Sequence, residues 1–310
     1  MVFMLKRFLY LILMGFFLWP LSAKAAGKLN IQVSIKPIHS IAAFICQGVL
    51  EPGLLMKGQE SPHTQSLTPQ QLQALQQADL MIWTGPEYES HWQNSLQQQV
   101  DSKKTVTLSQ SPGLTLYPYR CQGLSHNHDH EGHSHSLTDG HIWLDPDNAK
   151  VIAQTIAQVI IQLDPSNKAI YEKNLSEFLV QLTALESDLK LLLAPIQGRE
   201  YLIYHDGLQY FDKYFGVKMA ASLVAEPDSP PNAQDFLRLK AWLTTTSPEQ
   251  RPGCVFTEPG FDPDLAKNLA TTFGLKYESV DYIGYGTSDG PGAYFVMMRQ
   301  LAADLLKGLS

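Results

Sequence analysis

Residues 165–194 read PSNKAIYEKNLSEFLVQLTALESDLKLLLA, and in them Ile170, Leu175, Phe178, Leu179, Leu182, Leu185, Leu189 and Leu192/Leu193 recur at spacings of three and four. That period is one face of an α-helix. Asp164-Pro165 supplies a cap and a proline at the first helical position, and Pro195 and Gly198 end the run. About 30 residues at 1.5 Å each give a rod of ~45 Å, long for a globular helix and long enough to lie along two lobes.

Strand and helix signals alternate on both sides of this rod. Before it, Leu29–Ile35 alternates as a strand, a helix is expected from Ile38 to Gln47, and Thr68-Pro69-Gln70-Gln71 opens another. Ala78–Thr84 (ADLMIWT) reads as a buried strand and Val106–Leu108 as a second. After it come strands at Tyr201–Tyr204, Cys254–Thr257 and Tyr277–Val280, with helices near Gly207–Phe215, Pro263–Phe273 and Gly292–Leu306. The expected fold is therefore α/β, with two parallel-sheet α/β lobes joined by one long helix. The boundaries are 26–163 for the N-terminal lobe, 164–195 for the linking helix and 196–310 for the C-terminal lobe.

The first 25 residues read as an export signal. Lys6 and Arg7 precede an apolar run from Phe8 to Leu21, and Ala23-Lys24-Ala25 is a small-x-small cleavage pattern. The run is shorter than the ~18–20 residues a membrane span requires. The expected mature chain starts near Ala26 and works outside the inner membrane. The net charge of −7 lacks the basic footprint that nucleic acid requires. Three cysteines (Cys46, Cys121 and Cys254) leave one unpaired in any disulfide scheme, and no CxxC signals a thiol redox or cysteine zinc site.

The chemistry is carried by isolated histidines. His205 directly follows a strand, His63 lies in the loop Lys57–Ser66 before a helix, and His141 opens HIWLDP ahead of a helix beginning near Pro146. Asp281 directly follows the strand Tyr277–Val280. Ligands of open α/β sheets lie outside the carboxyl ends of the strands, so these side chains are expected to converge on a crevice between lobes. Three imidazoles with an aspartate or a water suit four-coordinate zinc. Calcium or magnesium would ask mainly for oxygens. Copper and nickel also accept imidazole. Each residue has a plainer reading: a loop histidine for His63, a helix cap for His141, a turn residue for Asp281. His39 reads as a helix-start residue and His91 as solvated. A tract from 122 to 140 carries His126, His128, His130, His133 and His135 among Asp, Glu, Gly and Ser. It cannot form a packed core and reads as a mobile loop suited to weak capture or delivery.

Taken together, SIKPIHSIAAFICQGV (34–49), SPHTQSLTPQQLQALQQADLMIWTGPEYES (61–90), GHIWLDPDNA (140–149), YHDGLQYFDKYFGV (204–217), GCVFTEPGFDP (253–263) and SVDYIGYG (279–286) resemble the metal-binding proteins of zinc and manganese ABC importers, and among them the zinc members. The resemblance covers almost the whole mature chain. It implies metal ligands at His63, His141 and His205, with the family's last acidic position on Asp281. Manganese members have Glu in place of His205. Some zinc members carry an acid just before the first histidine, where this chain has Pro62, which leaves Asp281 and a water as alternatives for the fourth ligand. Some also link the cysteine of the GCVF strand to one near the C-terminus. That partner is missing here; the resemblance leaves a Cys46–Cys121 pair open, with Cys254 then a buried thiol, and the sequence alone does not choose among the three possible pairs.

The resemblance implies capture of Zn²⁺ in the periplasm by a monomer and delivery to the membrane permease of an ABC importer, without catalysis. No GxxxxGK[ST] loop is present, so the chain is not the ATPase. One rival is an exported zinc hydrolase, for which Glu226 or Glu258 would be the base. Another is a metal buffer acting through the histidine tract. A manganese- or nickel-binding transport protein is the third alternative.

Overall fold

The structure, a computed structural model, describes residues 28–58, 61, 63–120, 138–224 and 232–310. The first lobe comprises β1 (Ile31–Val33), α1 (Lys36–Cys46), β2 (Gly53–Leu54), α2 (Pro69–Gln76), β3 (Leu80–Trp83), α3 (Gln93–Gln99) and β4 (Thr105–Thr107). Helices α4 (Pro146–Leu163) and α5 (Lys168–Leu193) follow. The second lobe comprises β5 (Glu200–Ile203), α6 (Gln209–Phe215), β6 (Lys218–Ser222), α7 (Ala233–Thr245), β7 (Cys254–Thr257), α8 (Asp264–Phe273), β8 (Lys276–Ser279) and α9 (Ala293–Leu309).

Both sheets are parallel and share one order, β2-β1-β3-β4 and β6-β5-β7-β8. The chain therefore reverses direction across the sheet between β1 and β3 and again between β5 and β7. Such switch points open a crevice beyond the strand ends. Central strands covered on both faces read as unbroken apolar runs, as in LMIW of β3. Strands β2 and β6 and helix α7 carry too little of this pattern to be read from sequence. β2 has two residues, β6 is KMAAS, and α7 buries only Leu239 and Leu243.

The long helix is shorter than its apolar period implies. α5 has 26 residues, and 165–167 form a separate 3-10 turn. The Asp164 carboxylate is occupied by the side chains of Ser166, Asn167 and Tyr171 rather than by the first backbone amides of α5. Ile170, counted in the apolar stripe, is exposed. The buried face is Tyr171, Phe178, Leu182, Leu185, Leu189 and Leu193. It packs on α1 and α4 of the first lobe and on α6 and α9 of the second.

One continuous apolar cluster runs through both lobes. At its centre Phe44 of α1, Phe178 of α5 and Phe295 of α9 meet with ring centroids 5.2–5.9 Å apart. Polar links reinforce the join. The Trp143 indole donates to the Tyr282 carbonyl, the Tyr294 hydroxyl donates to the Trp143 carbonyl, and Ser40 Oγ accepts from the Tyr294 amide. A shared core resists independent lobe motion because packed interiors deform little.

Candidate metal centre

Three histidines from distant parts of the chain meet where the lobes face each other. One ring nitrogen each of His63, His141 and His205 lies within 4.8 Å of the others. The ring centroids form a nearly equilateral triangle with sides of 5.1, 5.2 and 5.3 Å. All three residues are buried, and the Nε2 atom of each has no hydrogen-bond partner. Buried polar atoms are normally paired, so three bare imidazole nitrogens in one buried cluster form an arrangement able to hold a cation.

Each ring is held from behind. His63 follows β2 in a loop anchored by α2, whose Thr68 and Gln71 form a reciprocal cap while Gln71 Nε2 donates to the Leu55 carbonyl. The Trp92 indole donates to the Gln65 carbonyl, and the Tyr88 ring packs edge-on to His63 at 4.5 Å. His141 has Nδ1 2.7 Å from Asp139 Oδ1. Asp139 is itself fully buried and accepts from Gln209 Nε2 at 3.0 Å. His205 lies two residues beyond β5, with its Nδ1 3.0 Å from the Tyr282 hydroxyl and 3.5 Å from Glu258 Oε2. The Asp139 carboxylate at His141 Nδ1 selects the tautomer that leaves Nε2 free, and at His205 the Tyr282 hydroxyl is able to accept a hydrogen bond from a proton carried on Nδ1.

Burial, followed by the neighbouring His205 and His141, holds His63 well below the usual histidine range, so it stays neutral. Burial also disfavours a charged His205, but the adjacent Glu258 carboxylate outweighs it and raises the ring's proton affinity. Burial opposes ionisation of Asp139, yet His141 and the hydrogen bonds around it prevail and hold the carboxyl below its ordinary value. Burial keeps the Tyr88 and Tyr282 phenols well above theirs, so both remain neutral.

Asp281 is not brought into the group of three. Its Oδ1 accepts from the amides of Ile283 and Gly284, and its Oδ2 from that of Gly286, which makes it a turn residue on the rim of the same pocket. The strand order gives the reason: Asp281 follows the edge strand β8, and β7 stands between β8 and β5. The residue beyond β7 is Glu258, whose Oε2 lies 3.5 Å from Nδ1 of His205. His39 sits within α1 with Nε2 2.9 Å from the Pro52 carbonyl, and His91 is exposed. Pro62, Cys121, Glu226 and His126, His128, His130, His133 and His135 lie outside the described residues. The tract read as a loop to Gly140 ends earlier. Thr138 bridges Pro118, and Asp139 and Gly140 are buried. Among the described residues Cys46 and Cys254 form no disulfide and are buried, and burial pushes both thiols up to about 12, too high for ready thiolate chemistry.

Sequence reasoning missed Asp139, Tyr282 and Arg120. An Asp two residues before a candidate ligand, in Asp139-Gly140-His141, was the available signal for the first. Arg120 pairs with Asp206 and, at 2.7 Å, with Asp212, although it belongs to the stretch leading from the first lobe. Nothing local marks it.

The family model described as ZnuA, zinc-uptake complex component A, periplasmic, matches residues 31–308. The high-affinity zinc uptake system protein ZnuA of Brucella suis is 31% identical over 318 residues, covering 93% of this chain and 94% of that protein. The protein of the same name from Yersinia pestis is 32% identical over 286 residues, covering 88% of each. A crystal structure of ZnuA superposes with a TM-score of 0.76 at 25% identity, covering 91% of this chain and 99% of that one. The periplasmic zinc-binding protein TroA of Treponema pallidum, at 17% identity and a TM-score of 0.74, shares the fold.

Proposed function

Because this chain belongs to the ZnuA family of periplasmic zinc-uptake components, we propose that it captures Zn²⁺ with His63, His141 and His205 and hands the ion to the membrane permease of an ABC importer. The observation that carries the reading is the meeting of three buried, unpartnered Nε2 atoms. Neutral imidazoles at this spacing suit zinc bonds of about 2.0–2.1 Å after small ring shifts. Asp281 keeps its turn, and water completes the tetrahedron. No helix among the described residues is long and apolar enough to cross a membrane. The chain reaches the periplasm through the signal in residues 1–25 and works there as a monomer. The absence of a GxxxxGK[ST] loop leaves the energy of transport to another subunit.

Metal analysis of the purified protein beside His205→Ala tests this. One zinc per chain is expected in the parent, with tight binding lost in the variant. An unchanged zinc content in His205→Ala refutes the site. Deleting residues 126–135 is expected to leave the single tight site intact, whereas loss of all binding would support a buffer acting through the histidine tract.

A further inference from the structure

Glu258 has no evident occupation in the metal-free protein. It follows β7, only 4% of its surface is exposed, and neither carboxylate oxygen has a hydrogen-bond partner. A buried carboxylate is ordinarily paired with a cation or surrounded by donors, because leaving it bare is costly. No lysine or arginine ion pair satisfies it among the described residues. Its nearest cationic prospect is Nδ1 of His205, 3.5 Å from Oε2. Yet Glu258 is not among the residues whose potential ligand atoms all lie within 4.8 Å of one another, which are His63, His141 and His205. Glu258 therefore stands behind a ligand ring rather than beside it.

The same arrangement occurs behind a second ring, where Asp139 lies 2.7 Å from Nδ1 of His141. Behind the third, His63, stand the neutral Tyr88 ring and its backbone, with no carboxylate acting on the ring among the described residues. Three neutral imidazoles bring no charge to a divalent ion. Two buried carboxylates, one behind each of two rings, bring two negative charges. Resting on the three-histidine reading above, we propose that Glu258 is a specificity-determining residue: with Asp139 it balances the charge of a divalent ion through the ligand rings, so that the site favours doubly over singly charged metals.

Once the ion is on Nε2 of His205, Nδ1 carries the proton and donates to the Tyr282 hydroxyl at 3.0 Å. The Glu258 charge stabilises the polarised ring from the same side. Low polarity around the pair lengthens the reach of that charge. Carboxylates behind metal-bound histidines typically contribute 10–100-fold to affinity. Replacing Glu258 with Gln keeps the shape and removes the charge. The apo protein, relieved of a bare buried anion, should be no less stable than the parent.

The experiment compares the full chain with Glu258→Gln by chelator competition for Zn²⁺ and, under reducing anaerobic conditions, for Cu⁺, together with the Co²⁺ absorption spectrum and the apo melting temperature. Parent binding of one Zn²⁺ is established first, and failure at that step would overturn the three-histidine reading rather than this one. Expected are a Zn²⁺ affinity lower by about 10–100-fold, a Cu⁺ affinity lowered by a clearly smaller factor, an unchanged Co²⁺ ligand-field pattern and an apo melting point at or above the parent's. Equal losses for Zn²⁺ and Cu⁺ would show a merely structural role and overturn the proposal. So would an unchanged Zn²⁺ affinity, or a Co²⁺ spectrum reporting a lost ligand. Should Glu258→Gln not fold, Glu258→Asp carries the same comparison, and the retained charge must keep the parent's preference for Zn²⁺ over Cu⁺.

Discussion

Asp139 grips His141 twice: its Oδ1 lies 2.7 Å from the ring Nδ1 and 3.0 Å from the backbone nitrogen of the same residue. The other oxygen is held by Gln209 of α6, and the Tyr210 hydroxyl donates to the Asp139 carbonyl. His141, the proposed ligand from the first lobe, is thus oriented by a residue docked on the second. Asp139→Asn should lower zinc affinity by about 10–100-fold while leaving one ion bound per chain. Competition titration with a chelator measures this, and an unchanged affinity would refute the assigned role.

Gly207 allows Tyr282 to approach His205. A Cβ at position 207 would lie 2.6 Å from the Tyr282 hydroxyl and 3.1 Å from His205 Cε1. Gly207→Ala should therefore displace Tyr282, weaken zinc binding and cost about 1–3 kcal/mol of stability from overpacking. Gly216 is the control. It caps α6 at φ +77°, and its nearest neighbour for a Cβ is the flexible Gln197 side chain at 3.7 Å. Gly216→Ala should cost about 1 kcal/mol from backbone strain and leave the zinc affinity as it was. Urea unfolding and chelator competition on both variants separate the two effects.

Arg120 places a buried guanidinium between two carboxylates of the second lobe. Its Nε lies 2.8 Å from Asp206, its Nη1 2.7 Å from Asp212, and Tyr201 also donates to Asp212. Arg120→Met strands two buried anions and should destabilise the fold by about 3–5 kcal/mol. Adding Asp206→Asn and Asp212→Asn should recover part of that loss. If the single variant melts at the parent's temperature, the network is not what ties this segment to the second lobe.

Protons compete with zinc at unequal rings. His205 is raised above 6.5 and gains a proton before His63, which is held well below 6.5. Zinc affinity should start to fall before the pH has dropped to 6.5, as His205 protonates, and continue downward at lower pH. Equal affinity at pH 7.5 and pH 5 would refute this. In the apo protein the two rings act oppositely on stability. The contribution of His205 is complete below 6.5 and is lost as pH rises through its folded value. That of His63 is complete above 6.5 and is lost as pH falls below it, because the unfolded chain takes up the proton there. His63→Gln should consequently be less acid-labile than the parent between about pH 6.5 and 5, as read from unfolding midpoints.

Local pattern carried much of the architecture. A central parallel strand must be apolar on both faces, so β3 and β7 stand out as LMIW and CVFT. A helix that packs on two lobes must repeat its apolar residues every three or four positions, and α5 does. Elements with weak local constraint were not legible. β2 is two residues long, and α7 buries only two side chains. The end of the histidine tract was misjudged for a related reason. Asp139 is polar and flanked by glycine, so nothing nearby reveals that α6, some 70 residues later, supplies the donors that allow its burial.

The amino-acid order by itself determined the α/β class, the long helix between the lobes and the three isolated histidines, because periodicity and residue chemistry are local properties. Only the tertiary structure decided which acids stand near those histidines. Asp281 and Glu258 each follow a strand and look equivalent along the chain. Strand order places β7 next to β5 and leaves β8 at the edge, so Glu258 lies behind His205 while Asp281 closes a turn. Neighbourhood across a sheet depends on which strands pair, and that is settled by the burial of the whole core rather than by residues at the strand ends.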